Sequence, residues 1–197
     1  AQKNSVVKGQ EITYSCTDGS SLKGYVAYAA SKKGKRPGIV VIHEWWGSND
    51  YVRKRANMLA SLGYIAIAVD MYGDGKQGND PKEAGALAAP FYNDPALVQR
   101  RIEAAVNKLK EYPEVDPDQL ACIGYCFGGS MSLTAAKLGM PFKGVVSFHG
   151  GLAGIPAEAG KTKAKILVCH GADDQFISSE ELKNFRDNLD AVHADYK

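Results

Sequence analysis

Several absences narrow this chain before any motif is considered. It has only four cysteines in 197 residues, Cys16, Cys122, Cys126 and Cys169, with no Cys-x-x-Cys pair among them. That is too sparse for a disulfide scaffold and lacks the spacing of a dithiol redox centre, so the cysteines read as reduced thiols. No apolar run approaches the ~20 residues that a helix needs to cross a bilayer. Neither sign of charge dominates: 24 basic and 22 acidic residues leave a formal net charge of +2 and are well mixed along the chain. Without a basic stripe or polybasic cluster, nucleic-acid and membrane-surface partners are not expected. No His-x-His or His-x-x-x-His spacing fixes two metal ligands on one element, so no metal is expected, and no cofactor is implied. There is no internal repeat and no low-complexity tract. The partner this leaves is a small molecule, bound by a monomer or weak dimer. The sequence begins Ala1-Gln2-Lys3. That start fits a cytoplasmic protein or a periplasmic or secreted one processed by signal peptidase, and the compartment stays open.

What is present is an alternation of short buried runs and amphipathic segments. The length suits one domain over residues 1–197. Ile12 to Cys16 and Leu22 to Ala29, joined by Thr17-Asp18-Gly19-Ser20, predict an N-terminal antiparallel hairpin. Gly38 to Ile42 is continuously apolar, as in a parallel strand covered on both faces. Asp50 to Leu62 carries Val52, Ala56, Leu59 and Ala60 at helical spacing, with Gly63 as a stop. Tyr64 to Val69 is the next strand. Pro81 and Pro95 open helices expected over Lys82 to Ala89 and through Lys110. Leu120 to Gly124, Gly144 to Phe148 and Ile166 to Cys169 predict three further strands, the first followed by a helix over Gly129 to Leu138 and the last by one over Ser179 to Leu189. This is an α/β pattern with a mostly parallel sheet and helices on both faces. Ligands of such sheets bind at the carboxyl ends of the strands.

The segment Gly124-Tyr125-Cys126-Phe127-Gly128-Gly129 sits between the third of these buried strands and its helix. Gly-x-Cys-x-Gly repeats the spacing of a nucleophile elbow with Cys for Ser, a strained strand-to-helix turn that exposes its central side chain. The flanking glycines let strand and helix approach closely. The alternative is a glycine-rich loop around an inert buried cysteine. The other unusual clusters also fall at strand ends: Glu44-Trp45-Trp46, Tyr72, His149, and Asp173-Asp174. Cys16, Cys122 and Cys169 suit the core. A thiolate, not a thiol, attacks, and the amino end of the following helix favours an anion at Cys126. A developing oxyanion needs two backbone donors, for which Phe127 and Trp45 are placed. Trp46 and Tyr72 suit either pocket walls or core, and Tyr125 adjoins the nucleophile.

Three motifs, His43-Glu44-Trp45-Trp46-Gly47, the elbow hexapeptide and Gly171-Ala172-Asp173-Asp174-Gln175-Phe176-Ile177, make the chain resemble the dienelactone hydrolase family across nearly its whole length. The resemblance implies an α/β-hydrolase fold and hydrolysis of small carboxylic esters or lactones through a Cys, His, Asp triad. On this match Cys126 is the nucleophile. Asp174 is the triad acid in preference to Asp173, because the Gly-x-x-Asp position counted from Gly171 falls on it. Glu44 is the carboxylate that contacts the resting thiol.

Two departures accompany the match. The family's triad histidine follows one more strand, and the sequence ends at Lys197 without a residue at that position, so a C-terminal strand and helix are expected to be missing and residues 1–197 to be impaired. His193 follows a helix running back down the sheet and is expected near the opposite edge, about 17–20 Å away. His149 is the best-placed substitute base, or else a pocket residue. The second departure is at Gly73-Asp74-Gly75-Lys76, where dienelactone-specific members carry an arginine. Lys76 lacks the bidentate fork, which argues against dienelactone itself. A hydrolase-like binding protein without catalysis is the competing reading.

Overall fold

A computed structural model describes residues 6–197; the reading of Ala1-Gln2-Lys3 lies outside them. The described strands are β1 (Val7–Ser15), β2 (Ser21–Ala29), β3 (Arg36–Ile42), β4 (Ile65–Ala68), β5 (Val115–Tyr125), β6 (Gly144–Phe148) and β7 (Lys165–Cys169). The helices are α1 (Asp50–Ser61), α2 (Pro81–Asn93), α3 (Pro95–Lys110), α4 (Phe127–Lys137) and α5 (Ser179–Ala191). The strands form one sheet in the order β1-β2-β4-β3-β5-β6-β7. β2 runs antiparallel to both β1 and β4, while β4, β3, β5, β6 and β7 are mutually parallel.

Side-chain alternation assigns the two faces. In β3 and β4, Val40, Ile42, Ile65 and Ile67 point into the larger core shared with α3 and α4. Ile39, Val41, Ala66 and Ala68 point the other way, against Val52, Ala56 and Ala60 of α1. The period of two in each strand explains why both faces are apolar and why the run reads as continuous in sequence. Alanines on the α1 side let that helix lie close to the sheet, and isoleucines fill the deeper side.

Element ends follow local chemistry. Asn49 caps α1 through the Tyr51 N–H, Asp80 caps α2 through Glu83, Asp94 caps α3 through Leu97, and Ser178 caps α5 through Glu181. Each satisfies one of the N–H groups a helix start leaves unpaired. Prolines at the first helical position of α2 and α3 act as expected. α2 runs past the predicted Ala89 and keeps Pro90 inside. β1 and β5 are also longer than their apolar runs. β1 is an edge strand with a mostly exposed face, and the β3–β5 pairing shifts register between Pro37 and Gly38. At the other edge, the Ile166 N–H donates to the Asp195 carbonyl, and Lys197 exchanges hydrogen bonds with Ile166 and Val168. Residues 195–197 thus lie alongside β7.

The buried Arg101 of α3 joins distant segments. It donates to the Met71 carbonyl after β4 at 3.1 Å, to Asp18 at 2.7 Å and to Ser20 at 3.0 Å in the β1–β2 turn. Beside it the fully buried Asp70 carboxylate accepts from the N–H groups of Lys23, Gly73 and Gly75. These contacts fix the segment after β4 beneath the strand ends.

The crossing of β5 into α4 is the tightest point. A Cβ added at Gly124 would stand 1.9 Å from the Gly128 carbonyl oxygen, and one at Gly128 would stand 2.3 Å from that of Ile42. All these obstacles are backbone. Gly124→Ala is therefore expected to destabilise by at least about 2–3 kcal/mol in urea unfolding. Gly144→Ala in β6, whose added Cβ meets nothing nearer than 3.9 Å, should change stability by less than about 1 kcal/mol. Equal losses at the two sites would contradict this account of the turn.

Candidate active site

Cys126 links β5 to α4 with φ 54° and ψ −115°, a left-handed conformation that non-glycine residues adopt at a cost. Its own N–H donates to the Phe148 carbonyl at the end of β6, and its carbonyl accepts from Gly129 and Ser130. The strained residue is thus clamped on both sides. Cys126 stands at the carboxyl ends of the parallel strands, directly after β5, whose neighbours are β3 and β6. At that point β4 and its connections turn to one side of the sheet and β6 and β7 to the other, which is where open α/β sheets bind ligands.

The thiol is half-buried, and its pKa is raised. Burial is the largest cause; the Phe127 N–H works against it, and the charges of Glu44 and Asp174 add to the rise. Cys126 therefore rests as a thiol, and the helix terminus does not by itself make it a thiolate. The same balance puts Glu44 within electrostatic reach of the sulfur.

Asp174 is brought to His149. Its Oδ2 lies 2.7 Å from His149 Nδ1, its Oδ1 accepts from the Phe176 N–H at 2.9 Å, and its side chain is only 6% exposed. The Phe176 N–H, with the His149 contact, holds its carboxyl below the usual carboxylate range. Asp173 makes no such contact among the described residues. His149, with φ 55°, follows β6 directly and stands one residue past the carbonyl that holds the Cys126 amide. With Nδ1 on Asp174, its Nε2 is left for a second partner. His170 Nδ1 is 4.0 Å from the same carboxylate oxygen and has no hydrogen-bond partner among the described residues.

His43 is fully buried and works differently. It contacts the Glu44 carbonyl through Nδ1 at 2.5 Å and accepts from the Met71 N–H through Nε2 at 3.2 Å. An acceptor role for Nε2 requires the neutral tautomer with its proton on Nδ1. Burial depresses its pKa to about 4. The ring stacks on Phe127 and meets Tyr72 edge-on, so a neutral imidazole bolts the segment after β3 to the segment after β4. Tyr72 reinforces the bolt by donating to the Trp45 carbonyl at 2.8 Å. The Trp45 N–H has no acceptor among the described residues, and the Phe127 N–H adjoins the sulfur; these are the two donors anticipated for an oxyanion.

The aromatic residues separate in position. Tyr72 is 7% exposed and committed to the core beneath the site. Tyr125 points to the α1 side, stacked on Phe148 and covered by Arg55. Trp46 packs against Trp45 at the rim. A cavity of about 230 Å³ opens instead along α4, lined by Phe91, Tyr92, Ser130, Met131 and Ile155 among others. Tyr92 packs on Phe127, and both Ser130 and the nearby Cys126 influence its hydroxyl. Tyr92 and Ser130 were not anticipated: Tyr92 lies near the end of a helix whose predicted span stopped short of it, and a serine four residues after Cys126 carries no spacing signal. Arg55 was missed too. It stacks on Tyr51 and Tyr125, and its charge reaches Glu44. His193 follows α5, just before the segment paired with the start of β7, on the side away from Cys126. Among the described residues no group of three or more His, Cys, Asp or Glu side chains could hold a metal ion, and no helix is long and apolar enough to cross a membrane.

A cysteine at positive φ on a strand-to-helix turn, an aspartate–histidine pair on neighbouring strand ends and this strand order define an α/β-hydrolase fold. The sequence model of the dienelactone hydrolase family matches residues 22–197. The chain belongs to that family. Its relatives include protein usf of Aquifex pyrophilus, 30% identical over 88% of this chain and 75% of the relative. Another, named "Putative carboxymethylenebutenolidase", comes from Aquifex aeolicus and is 27% identical over the same shares of the two chains. Among solved structures, a dienelactone hydrolase-like promiscuous phosphotriesterase from metagenomic libraries superposes with a TM-score of 0.89 at 36% identity, covering 97% of this chain and 80% of that one.

The His43 bolt generates a stability prediction. Its folded pKa of about 4 lies below the ordinary 6.5, so between these values the unfolded chain binds more protons. The contribution is fully present above pH 6.5 and is lost as the pH falls toward 4. From pH 7 to pH 5 it is expected to weaken folding by about 2 kcal/mol. Urea midpoints for the native protein and His43→Gln should diverge over that window, and parallel pH profiles would exclude the effect.

Proposed function

We propose that the protein hydrolyses small carboxylic esters or lactones through a thioester on Cys126. The observation that carries this reading is the hydrogen bond between Asp174 and His149 Nδ1, set beside a cysteine at positive φ. Asp174 fixes the imidazole with Nε2 free, the orientation a base needs.

In the proposed sequence, His149 Nε2 takes the Sγ proton as the thiolate adds to the substrate carbonyl carbon. The raised pKa of Cys126 fits a thiol that is deprotonated only when substrate arrives. The Phe127 and Trp45 N–H groups receive the oxyanion. Collapse forms the thioester and expels the alkoxide, which takes the proton back from the imidazolium. A water, deprotonated by the same nitrogen, then adds to the thioester; collapse releases the carboxylic acid and returns the proton to sulfur. Glu44 holds the resting thiol, and Arg55 gives its charge a partner when it turns away.

For the family's usual substrates, the position of the triad base matters. Among the described residues the imidazole on Asp174 is that of His149, at 2.7 Å. His149 is half-exposed, so its pairing with Asp174 competes with water. Substrate choice follows the cavity beside Tyr92 and Ser130, which suits a short acyl or alkyl group. Asp70 fills the segment after β4 with backbone hydrogen bonds, and Lys76 is exposed there without a guanidinium. A neutral ester or lactone is therefore preferred over a dienelactone carboxylate.

The competing reading, a binding module without catalysis, separates on the same protein. With p-nitrophenyl acetate, residues 1–197 should give a burst of nitrophenol matching one acyl group per chain, with the added mass on the peptide containing Cys126. Cys126→Ala should abolish the burst, and His149→Gln should slow acylation by at least about tenfold. An undiminished burst in Cys126→Ala removes the proposed nucleophile. Uniformly slow alkylation of all four cysteines by iodoacetamide, with no burst, would favour the binding module.

A further inference from the structure

A second cavity lies away from the nucleophile, at the far end of α4. It measures about 500 Å³, and its walls include Leu152, Ile155 and Pro156 from the loop after β6 and Phe185 from α5. Lys137, the last residue of α4, also lines it. Eleven residues at the helical rise place it roughly 16 Å along the axis from Cys126.

Lys137 is only 4% exposed, its nitrogen is not among the fully enclosed polar atoms and so opens on the cavity, and among the described residues no hydrogen bond or ion pair reaches it. The nitrogen stands 5.2 Å from the centre of the Phe185 ring, a cation–π contact. Lysine is seldom buried this far, and here the charged head opens on the cavity and not on a protein partner. Two carboxylates share the cavity, and neither serves. Glu181 Oε1 accepts from the Leu152 and Ala153 N–H groups at 2.9 and 3.0 Å. Glu180 is exposed at the start of α5. Consistently, burial alone pulls the ammonium down to about 8, with no acid nearby to restore it.

We propose that this cavity is a binding site for a small organic carboxylate with an apolar tail, its charge paired with Lys137 and its tail set against Leu152, Ile155, Pro156 and Phe185. The apolar walls favour the tail, and the unpaired cation supplies what a carboxylate lacks once it leaves water. The site adjoins the cavity beside Tyr92 along Ala153, Gly154 and Ile155, but its proposed occupant and its cation are not those of the proposed hydrolysis.

The probes are hexanoate and hexanol, which share a tail and differ in charge, titrated calorimetrically into the whole 197-residue protein at pH 7. Hexanoate should bind and hexanol should bind at least tenfold more weakly. Lys137→Met, which keeps the volume and removes the charge, should lose hexanoate binding at least tenfold while retaining native circular dichroism. Lys137→Arg should recover much of it. Hexanoate affinity should fall about tenfold between pH 7 and pH 9 as the ammonium deprotonates. A direct readout is acetylation by dilute acetic anhydride followed by peptide mass spectrometry, in which hexanoate should slow labelling of Lys137 at least fivefold and leave other lysines unchanged. Equal binding of hexanoate and hexanol, or hexanoate binding unchanged in Lys137→Met, would overturn the proposal. So would the absence of any binding or protection by millimolar hexanoate.

Discussion

The backbone contact between the start of α4 and the ends of β3 and β5 is the constraint from which the rest follows. Gly124 and Gly128 allow carbonyls and Cα atoms to meet at distances no side chain would tolerate. The chain can then turn from strand to helix within one residue, and Cys126 takes the strained conformation that the turn demands. The strain is held by hydrogen bonds to Phe148, Gly129 and Ser130, so the thiol cannot relax without breaking the joint between sheet and helix. Position is thereby coupled to fold stability, which is how strain persists at functional sites.

Around this joint, neutral and charged groups divide the work. His43 and Tyr72 spend their polar atoms on backbone groups and hold the loop that presents Glu44 and Trp45. Asp174 spends its polar atoms on an imidazole and a backbone N–H. The first set needs deep burial, and its histidine consequently resists protonation. The second lies at the mouth of the site, where His149 keeps contact with solvent and a free ring nitrogen. The difference between two strand-end histidines arises from burial and partners, not from residue type.

Much of this was legible in the sequence because it rests on local rules. Pro81 and Pro95 marked helix starts, the run Gly38 to Ile42 marked a two-faced strand, and Gly-x-Cys-x-Gly marked the turn. The sequence was less informative wherever tertiary contacts overrode local pattern. α2 continues through Pro90 because packing of Phe91 into the core sustains it, and β1 extends as an edge strand with little apolar signal. At the site, strand ends could be assigned to one face, but the direction of each side chain could not. Tyr125 therefore turns toward α1 although it adjoins Cys126, and Tyr92 packs on Phe127, the residue after Cys126, from a helix end far away in sequence.

The Arg101 strut gives the β1–β2 hairpin a role that its peripheral position conceals. Asp18 and Ser20 precede the span that matches the family model, residues 22–197, yet they grip the guanidinium that also holds the Met71 carbonyl. Met71 in turn donates its N–H to His43. A turn at the sheet's edge is thus mechanically in series with the loop carrying Glu44 and Trp45. Inherited changes in that turn would be felt as epistasis at the mouth of the site, altering how well it tolerates substitutions without touching any residue there.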